Sequence, residues 1–235
     1  MAPTLKPDRS ILARVPVFHG LDGEALDAAL AAAKSCFIAK SSNAFEQGDK
    51  AETFFVLVDG RLKVSQTTPS GQQVVIRYIG PGEFFGCVAV SGQSEYPGTA
   101  TAVVDSVAVA WDTGASKLLM EKFPKFAMNA LSTMGTRVQE AHARLRELAT
   151  EQVEQRVARA ILRLAQQAGQ RVEGGVRIEF PLSREDIAQM TGTTLHTVSR
   201  ILSHWEQEGL IESGRQRITI RKPHALVSLS EGTEK

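Results

Sequence analysis

Cysteine is scarce in this chain: Cys36 and Cys87 are the two among 235 residues. They stand 51 positions apart with no paired spacing, which excludes a disulfide framework and provides no zinc or iron–sulfur ligand set. No apolar run approaches the length of a membrane span. The opening segment, MAPTLKPDRSILARVPVF, scatters its charges instead of gathering an apolar core, so it lacks the pattern of an export signal. A cytoplasmic protein with no membrane partner is expected. Neither sign of charge dominates. A net +1 is too little for a nonspecific nucleic-acid coat, yet it is compatible with one local basic surface. The signatures of common enzyme classes are missing too, with no nucleophile elbow, no Walker loop and no metal-ligand cluster. A 43% hydrophobic content over this length suits two modest domains, each owning a core.

Residues 183–210, SREDIAQMTGTTLHTVSRILSHWEQEGL, carry the strongest signal. Ser183 can cap a first helix, with Asp186 as its capping-box partner, and Pro181 stands just outside. Ile187 and Met190 share a face, Ala188 allows close approach, and Gly192 suits a left-handed exit. Thr193 or Thr194 then caps a second helix, and Gly209 ends it. Leu195, Val198, Ile201, Leu202 and Trp205 recur at threes and fours and are expected to dock that helix on the first. Thr194, His196, Thr197, Ser199, Arg200 and Ser203 occupy its polar face, a set of short donors and acceptors plus one long cation, as a major-groove reader needs.

An ordinary amphipathic helix pair would share this periodicity, and the flanks favour the DNA reader. Leu210–Glu212, a turn at Ser213–Gly214–Arg215 and the alternating strand Arg217–Arg221 predict a two-stranded wing. Phosphate contacts are expected from Arg184, Thr191, Thr193, Thr194, Thr197, Arg215 and Arg217. Arg215 and Arg217 would equally serve to solvate a surface turn. Between Glu151 and Lys222 eleven Arg or Lys face nine Asp or Glu, an excess of 11 − 9 = +2. From Phe126 to Arg221 the cations other than histidine are all arginine, whose planar fork suits guanine edges and phosphates.

Upstream, residues from Ser116 to about Gln167 read as helical, interrupted near Pro124, with a hinge at Ala149–Gln152. Leu131, Val138 and Leu145 fall at one heptad position, and Met134, Ala141 and Leu148 at the other, flanked by Arg137, Glu140, Arg144 and Glu147. Such a narrow stripe wants a partner, either the same helix of a second subunit or the chain's own N-terminal half. The first half has another grammar. Glycines at 48, 60, 71, 80, 82, 86, 92 and 98 cut it into the β-prone pieces TFFVLV, RLKVSQ, QQVVIRYI, EFFGCVAV, GTATAVV and SVAVAW. These predict an antiparallel roll, with a hairpin at Asp59–Gly60, a turn at Pro69–Gly71, and N-terminal helices carrying Leu21, Leu26 and Leu30 as a brace. The fold class is α+β, divided as 1–115 for the roll, 116–150 for the dimerisation helix and hinge, and 151–235 for the winged helix-turn-helix.

This order of parts resembles the Crp/Fnr superfamily of bacterial transcription regulators over nearly the whole chain. The family's phosphate-binding cassette runs glycine, acidic, two apolar, glycine, glutamate, and Gly82–Glu83–Phe84–Phe85–Gly86 follows it until Cys87 stands where the glutamate would. Cyclic-AMP-binding members also use an arginine and a serine further on, where this chain has Glu95–Tyr96–Pro97–Gly98–Thr99. A buried phosphate without a cation costs several kcal/mol, so cyclic AMP is disfavoured. The iron–sulfur branch uses N-terminal cysteines that are absent before Cys36.

The resemblance places an effector pocket at Gly82, Glu83, Phe85, Gly86, Cys87, Tyr96 and Thr99, with nitric oxide or redox chemistry as the signal. Haem held as in the carbon-monoxide sensor would need a histidine in the cassette region, and the sequence has none between His19 and His142. His19 is the nearest haem candidate, though a histidine there also suits a plain turn. Cys87 is a second sensor candidate, and also fits as a small core residue. Carried over residue by residue, base contacts fall to His196, Ser199 and Arg200, with His196 where the family has glutamate. That exchange implies a half-site related to, but distinct from, a TTGAT-like box. The implied protein is a homodimeric activator on pseudo-palindromic duplex DNA, working with RNA polymerase, in which the helix seam relays the signal. The alternatives are a β-roll module acting on a protein partner and a regulator that needs no effector.

Overall fold

The computed structural model describes residues 8–91 and 94–232, so Gly92, read above as a turn glycine, lies outside the described residues. Two compact units emerge. One takes the described residues up to Thr67 together with Arg77–Ala141, and the other takes Thr68–Ile76 and the described residues from His142 onward.

The first unit opens with short helices whose starts are set by aspartates. Asp8 caps α1 (Arg9–Ala13) and Asp22 caps α2 (Gly23–Ala31), their carboxylates accepting from Ile11 N at 3.0 Å and Ala25 N at 2.9 Å. The strands are β1 (Lys34–Ile38), β2 (Asn43–Phe45), β3 (Thr53–Asp59), β4 (Leu62–Thr67), β5 (Gln73–Ile79), β6 (Phe84–Phe85), β7 (Thr99–Ala102) and β8 (Ser106–Asp112). They form two sheets, ordered β1-β8-β3-β6 and β2-β7-β4-β5. Ile38, Phe55, Leu57, Leu62, Ile79 and Phe85 fill the space between with the alanines of β7 and β8, small residues that suit a narrow roll. A second core gathers Leu12, Val17, Phe18 and Leu26 around Trp111 and Phe54, whose rings stack at 4.9 Å, and the Trp111 indole donates to Ala29 O at 2.8 Å. The expected helical brace is therefore present, with Leu26 buried and Leu21 and Leu30 packed against the same cluster.

Two expectations for the roll need correction. Asp59–Gly60 is not a paired hairpin, because β3 pairs with β8 and β6 while β4 pairs with β7. The turn is a corner between sheets. Gly60 is required there: its φ is +95°, and a Cβ would lie 2.7 Å from the Asp105 carbonyl. EFFGCVAV is not one strand either. Only Phe84–Phe85 is extended, and α3 (Val88–Ser91) follows.

After α4 (Thr113–Lys122), capped by Asp112, comes α5 (Pro124–Thr150). Phe126 and Ala130 bury one side of it in the first unit's core. The second unit holds α6 (Val153–Ala168), β9 (Gly169–Val172), β10 (Gly175–Ile178), α7 (Arg184–Thr191), α8 (Leu195–Gln207), β11 (Ile211–Gly214), β12 (Arg217–Ile220) and α9 (Pro223–Glu231). Its sheet runs β11-β12-β10-β9, so the expected two-stranded wing is half of a four-stranded sheet. Val157, Ile161, Leu164, Ile187, Val198, Leu202, Trp205 and Leu226 are buried among these elements.

Candidate nucleic-acid interface and effector pocket

The reading element is built from its turn outward. Ser183 and Asp186 form the expected capping box: the Asp186 amide donates to Ser183 Oγ at 3.0 Å, and the Ser183 amide donates to the Asp186 carboxylate at 3.2 Å. Gly192 takes the left-handed conformation, φ +63° and ψ +44°, which turns the chain sharply into α8. Thr194, not Thr193, caps that helix, its hydroxyl accepting from the Thr197 amide at 3.2 Å. Val198, Ile201, Leu202 and Trp205 dock α8 on the unit as expected. Leu195 does not: it is 42% exposed on the first turn of α8.

His196 and Arg200 lie one turn apart on the exposed face of α8, with half-buried Ser199 beside them. Thr191 must leave the phosphate set. It is 2% exposed and its hydroxyl donates back to Ile187 O at 2.7 Å, so it is satisfied within its own helix. Arg184 reaches across to Ser213 Oγ at 3.2 Å and lies 3.8 Å from the Glu206 carboxylate, which partly neutralises it. On the wing, β11 continues to Gly214 and the turn is Arg215–Gln216, so Arg215 stands at the exposed tip and exposed Arg217 begins β12.

In the first unit, the cassette is shaped by arginines that sequence reasoning did not associate with it. The Glu83 carboxylate accepts from Gly80 N at 3.1 Å, from Arg77 Nη1 at 2.8 Å and from Arg137 Nη2 at 2.9 Å. Arg77 also donates to Phe84 O at 3.2 Å. Burial lowers the Arg77 pKa, the nearby charge of Arg137 lowers it further, and Glu83 opposes both. Burial also pulls on Arg137, but its bonds and attraction to Glu140 and Glu83 prevail and raise its pKa. The available signal was a lone arginine inside the apolar strand QVVIRYI.

Phe85 and Tyr96 are corrected from pocket walls to core. Phe85 is 1% exposed and stacks on Phe55. Tyr96 lies flat on Phe45 at 3.8 Å and donates its hydroxyl to Thr53 O at 2.5 Å. Thr99 Oγ1 accepts from Gln47 N at 3.0 Å, and Gly82 N donates to Leu57 O at 2.7 Å. Gly86 follows in a tight turn, and half-buried Cys87 packs on the Trp111 cluster, near Arg77. Cys36 is half-buried against Ala108 O, and burial raises its pKa. His19 is exposed at the end of a short 3-10 turn. With an outward-facing His19 and a roll sequence without histidine, the side chains do not fit a histidine-ligated haem.

The heptad residues Leu131, Val138, Leu145 and Leu148 are 64%, 51%, 65% and 50% exposed in the single chain, with Met134 half-buried and Ala141 exposed. Among the described residues no helix is long and apolar enough to cross a membrane, and no group of side chains is arranged to hold a metal ion.

Comparison with known proteins agrees with both halves of this description. Residues 37–123 match the family model of the cyclic nucleotide-binding domain, and residues 155–229 match that of the Crp-like helix-turn-helix domain. The Cyclic AMP receptor protein of Thermus thermophilus is 29% identical over 92% of this chain and 97% of its own length. The Transcriptional regulator LdrP of the same species is 30% identical over 77% of this chain and 88% of that protein. FixK2 of Bradyrhizobium japonicum, 22% identical, shares the fold with a TM-score of 0.74 over 84% of this chain and 96% of its own. The chain belongs to the Crp/Fnr superfamily of regulators, as a DNA-binding transcription regulator and not an enzyme.

Proposed function

We propose that this regulator acts as a cytoplasmic homodimer on a pseudo-palindromic site, activates transcription through contact with RNA polymerase, and answers to a signal other than cyclic AMP. The observation that carries the DNA reading is exposed His196 and Arg200, with half-buried Ser199 beside them, on the capped first turns of α8. Arg200 has the reach and geometry for a bidentate grip on guanine, while His196, unlike a carboxylate, can donate to or accept from a purine. Thr193, Thr194, Thr197, Arg215, Arg217 and the remaining N–H groups of Arg184 are assigned to phosphates. The exposed leucine and valine stripe of α5 supports two-chain pairing, since a two-sevenths apolar seam left in water is unfavourable.

Two features argue against cyclic AMP. Cys87 replaces a carboxylate, and the two arginines at the cassette are already engaged by Glu83. We assign the signal to redox or nitric oxide chemistry at Cys87, which sits beside that network. Selection from random duplexes, followed by affinity measurements against salt, tests the DNA reading. A single enriched half-site repeated in inverted order and a steep negative salt slope are expected. Repeating the binding with cyclic AMP, with peroxide and with a nitric oxide donor, on wild type and Cys87→Ser, tests the signal. Stimulation by cyclic AMP, or equal responses of both proteins to the oxidants, would reject it.

A further inference from the structure

Two helix ends meet at one arginine. The last carbonyls of a helix lack intrahelical partners and carry its negative partial charge. Arg156, on the first turn of α6, donates from Nη1 to Glu151 O, just past the end of α5, at 2.7 Å. From Nε it donates to Thr191 O, the last carbonyl of α7, at 3.0 Å. Gly192 and the start of α8 follow immediately. The same face of α6 carries Arg159 and Arg163, which hold the end of α5 by its side chains. Arg159 pairs with Glu151 at 3.0 Å, and Arg163 donates to the two Glu147 oxygens at 2.6 and 2.8 Å. Arg159 also reaches Ser230 O in α9 at 2.6 Å. Glu147 and Glu151 are 14% and 18% exposed, so these pairs are shielded from salt better than surface pairs.

We propose that Arg156 is a positioning residue for DNA reading: it makes the last turn of α5 and the turn between α7 and α8 move as one body, so that the end of α5 sets the direction of α8. The planar guanidinium bonds both carbonyls at once, whereas a lysine ammonium on a flexible stem is not pre-organised to bridge them. The inference rests on the assignment of α8 as the reading helix and does not need the pairing of two chains.

The test compares amide hydrogen exchange of the full chain for wild type, Arg156→Lys and Arg156→Gln, together with affinity for a duplex selected by the wild type. The amides of Gly192 and Thr193, both bonded to Ala188 O, report the turn, and the Glu151 amide, bonded to Glu147 O, reports the end of α5. In both variants these two separate segments should exchange faster by about tenfold while the α6 core amides stay within about twofold, and DNA affinity should fall about tenfold, in the range of positioning effects. Faster exchange across the whole second unit would reduce Arg156 to a stability role. A change at only one segment, or unaltered DNA affinity, would overturn the proposal. A wild-type chain that selects no duplex would sink the reading of α8 instead, and the exchange pattern would still decide whether Arg156 joins the two turns.

Discussion

Arg137, on the long helix α5, donates to the carboxylate of Glu83, at the start of the cassette, at 2.9 Å. The same oxygen accepts from Arg77 at 2.8 Å, so one carboxylate holds two guanidiniums together at a largely buried point of the roll. Glu83→Gln should therefore destabilise the protein more than Arg137→Gln, because it leaves two like charges facing each other where the second substitution leaves an intact Arg77–Glu83 pair. A loss of roughly 1–3 kcal/mol is expected for Glu83→Gln, read from denaturant midpoints at constant slope. Equal losses for the two variants would contradict this account.

Arg200→Ala should weaken binding by about 1–3 kcal/mol at each half-site of the selected operator, about 5- to 150-fold apiece, and relax selection at one base pair of each half-site. Arg217→Ala should lower affinity evenly across sequences and reduce the salt slope by about 0.9 per subunit, about 1.8 for the bound dimer. Competition binding on a panel of single-base variants distinguishes base from phosphate roles.

Leu195 and Thr191 supply a paired test of the corrected site. Leu195 is exposed on the first turn of α8, and an apolar side chain there can contact a thymine methyl, so Leu195→Ala should change base preference without lowering thermal stability. Thr191→Val should do the reverse. It removes a buried hydroxyl bond worth about 0.5–1.5 kcal/mol and should leave DNA affinity within about twofold.

Val138→Asp or Leu145→Asp would place a charge in the exposed seam of α5. Sedimentation should show the paired chains separating at micromolar concentration, with operator affinity dropping while each compact unit keeps its far-ultraviolet dichroism. A dimer that withstands both substitutions would exclude this seam as the contact.

Acid should destabilise the fold through aspartates whose carboxylates are hydrogen-bonded in the folded chain. The Asp112 pKa lies below the usual aspartate range mainly because the carboxylate accepts from the Ala115 amide, and bonding to Ser10 and Arg9 lowers Asp8 and Asp27 likewise. Since the folded pKa is the lower one, each carboxylate stabilises the fold above the unfolded value, and that contribution is lost as pH falls through the folded one. The melting temperature should fall below about pH 4, and Asp112→Asn should flatten part of that acid limb.

Much of this molecule was legible from local chemistry. The capping box of Ser183 and Asp186, the glycine at the turn and four of the five stripe residues of α8 depend on residues within a few positions of one another and stand as expected, with Leu195 the exception. The helix-turn-helix pattern of residues 183–210 indicated the function class, and the poverty of cysteine excluded a disulfide framework and an iron–sulfur ligand set, before any fold was known. What the tertiary structure decided were relations between residues distant in sequence. Asp59–Gly60 proved to be a corner because β8 and β7, some forty positions away, claim the flanking strands. Arg77 and Arg137 came to Glu83, and Arg156 to Thr191, across separations of 6, 54 and 35 positions that no periodicity encodes. Short-range backbone preferences act on neighbours and can be read along the chain. Ion pairs and burial depend on which surfaces meet, and here that decided which threonine is hidden, which leucine is exposed and which arginines are engaged.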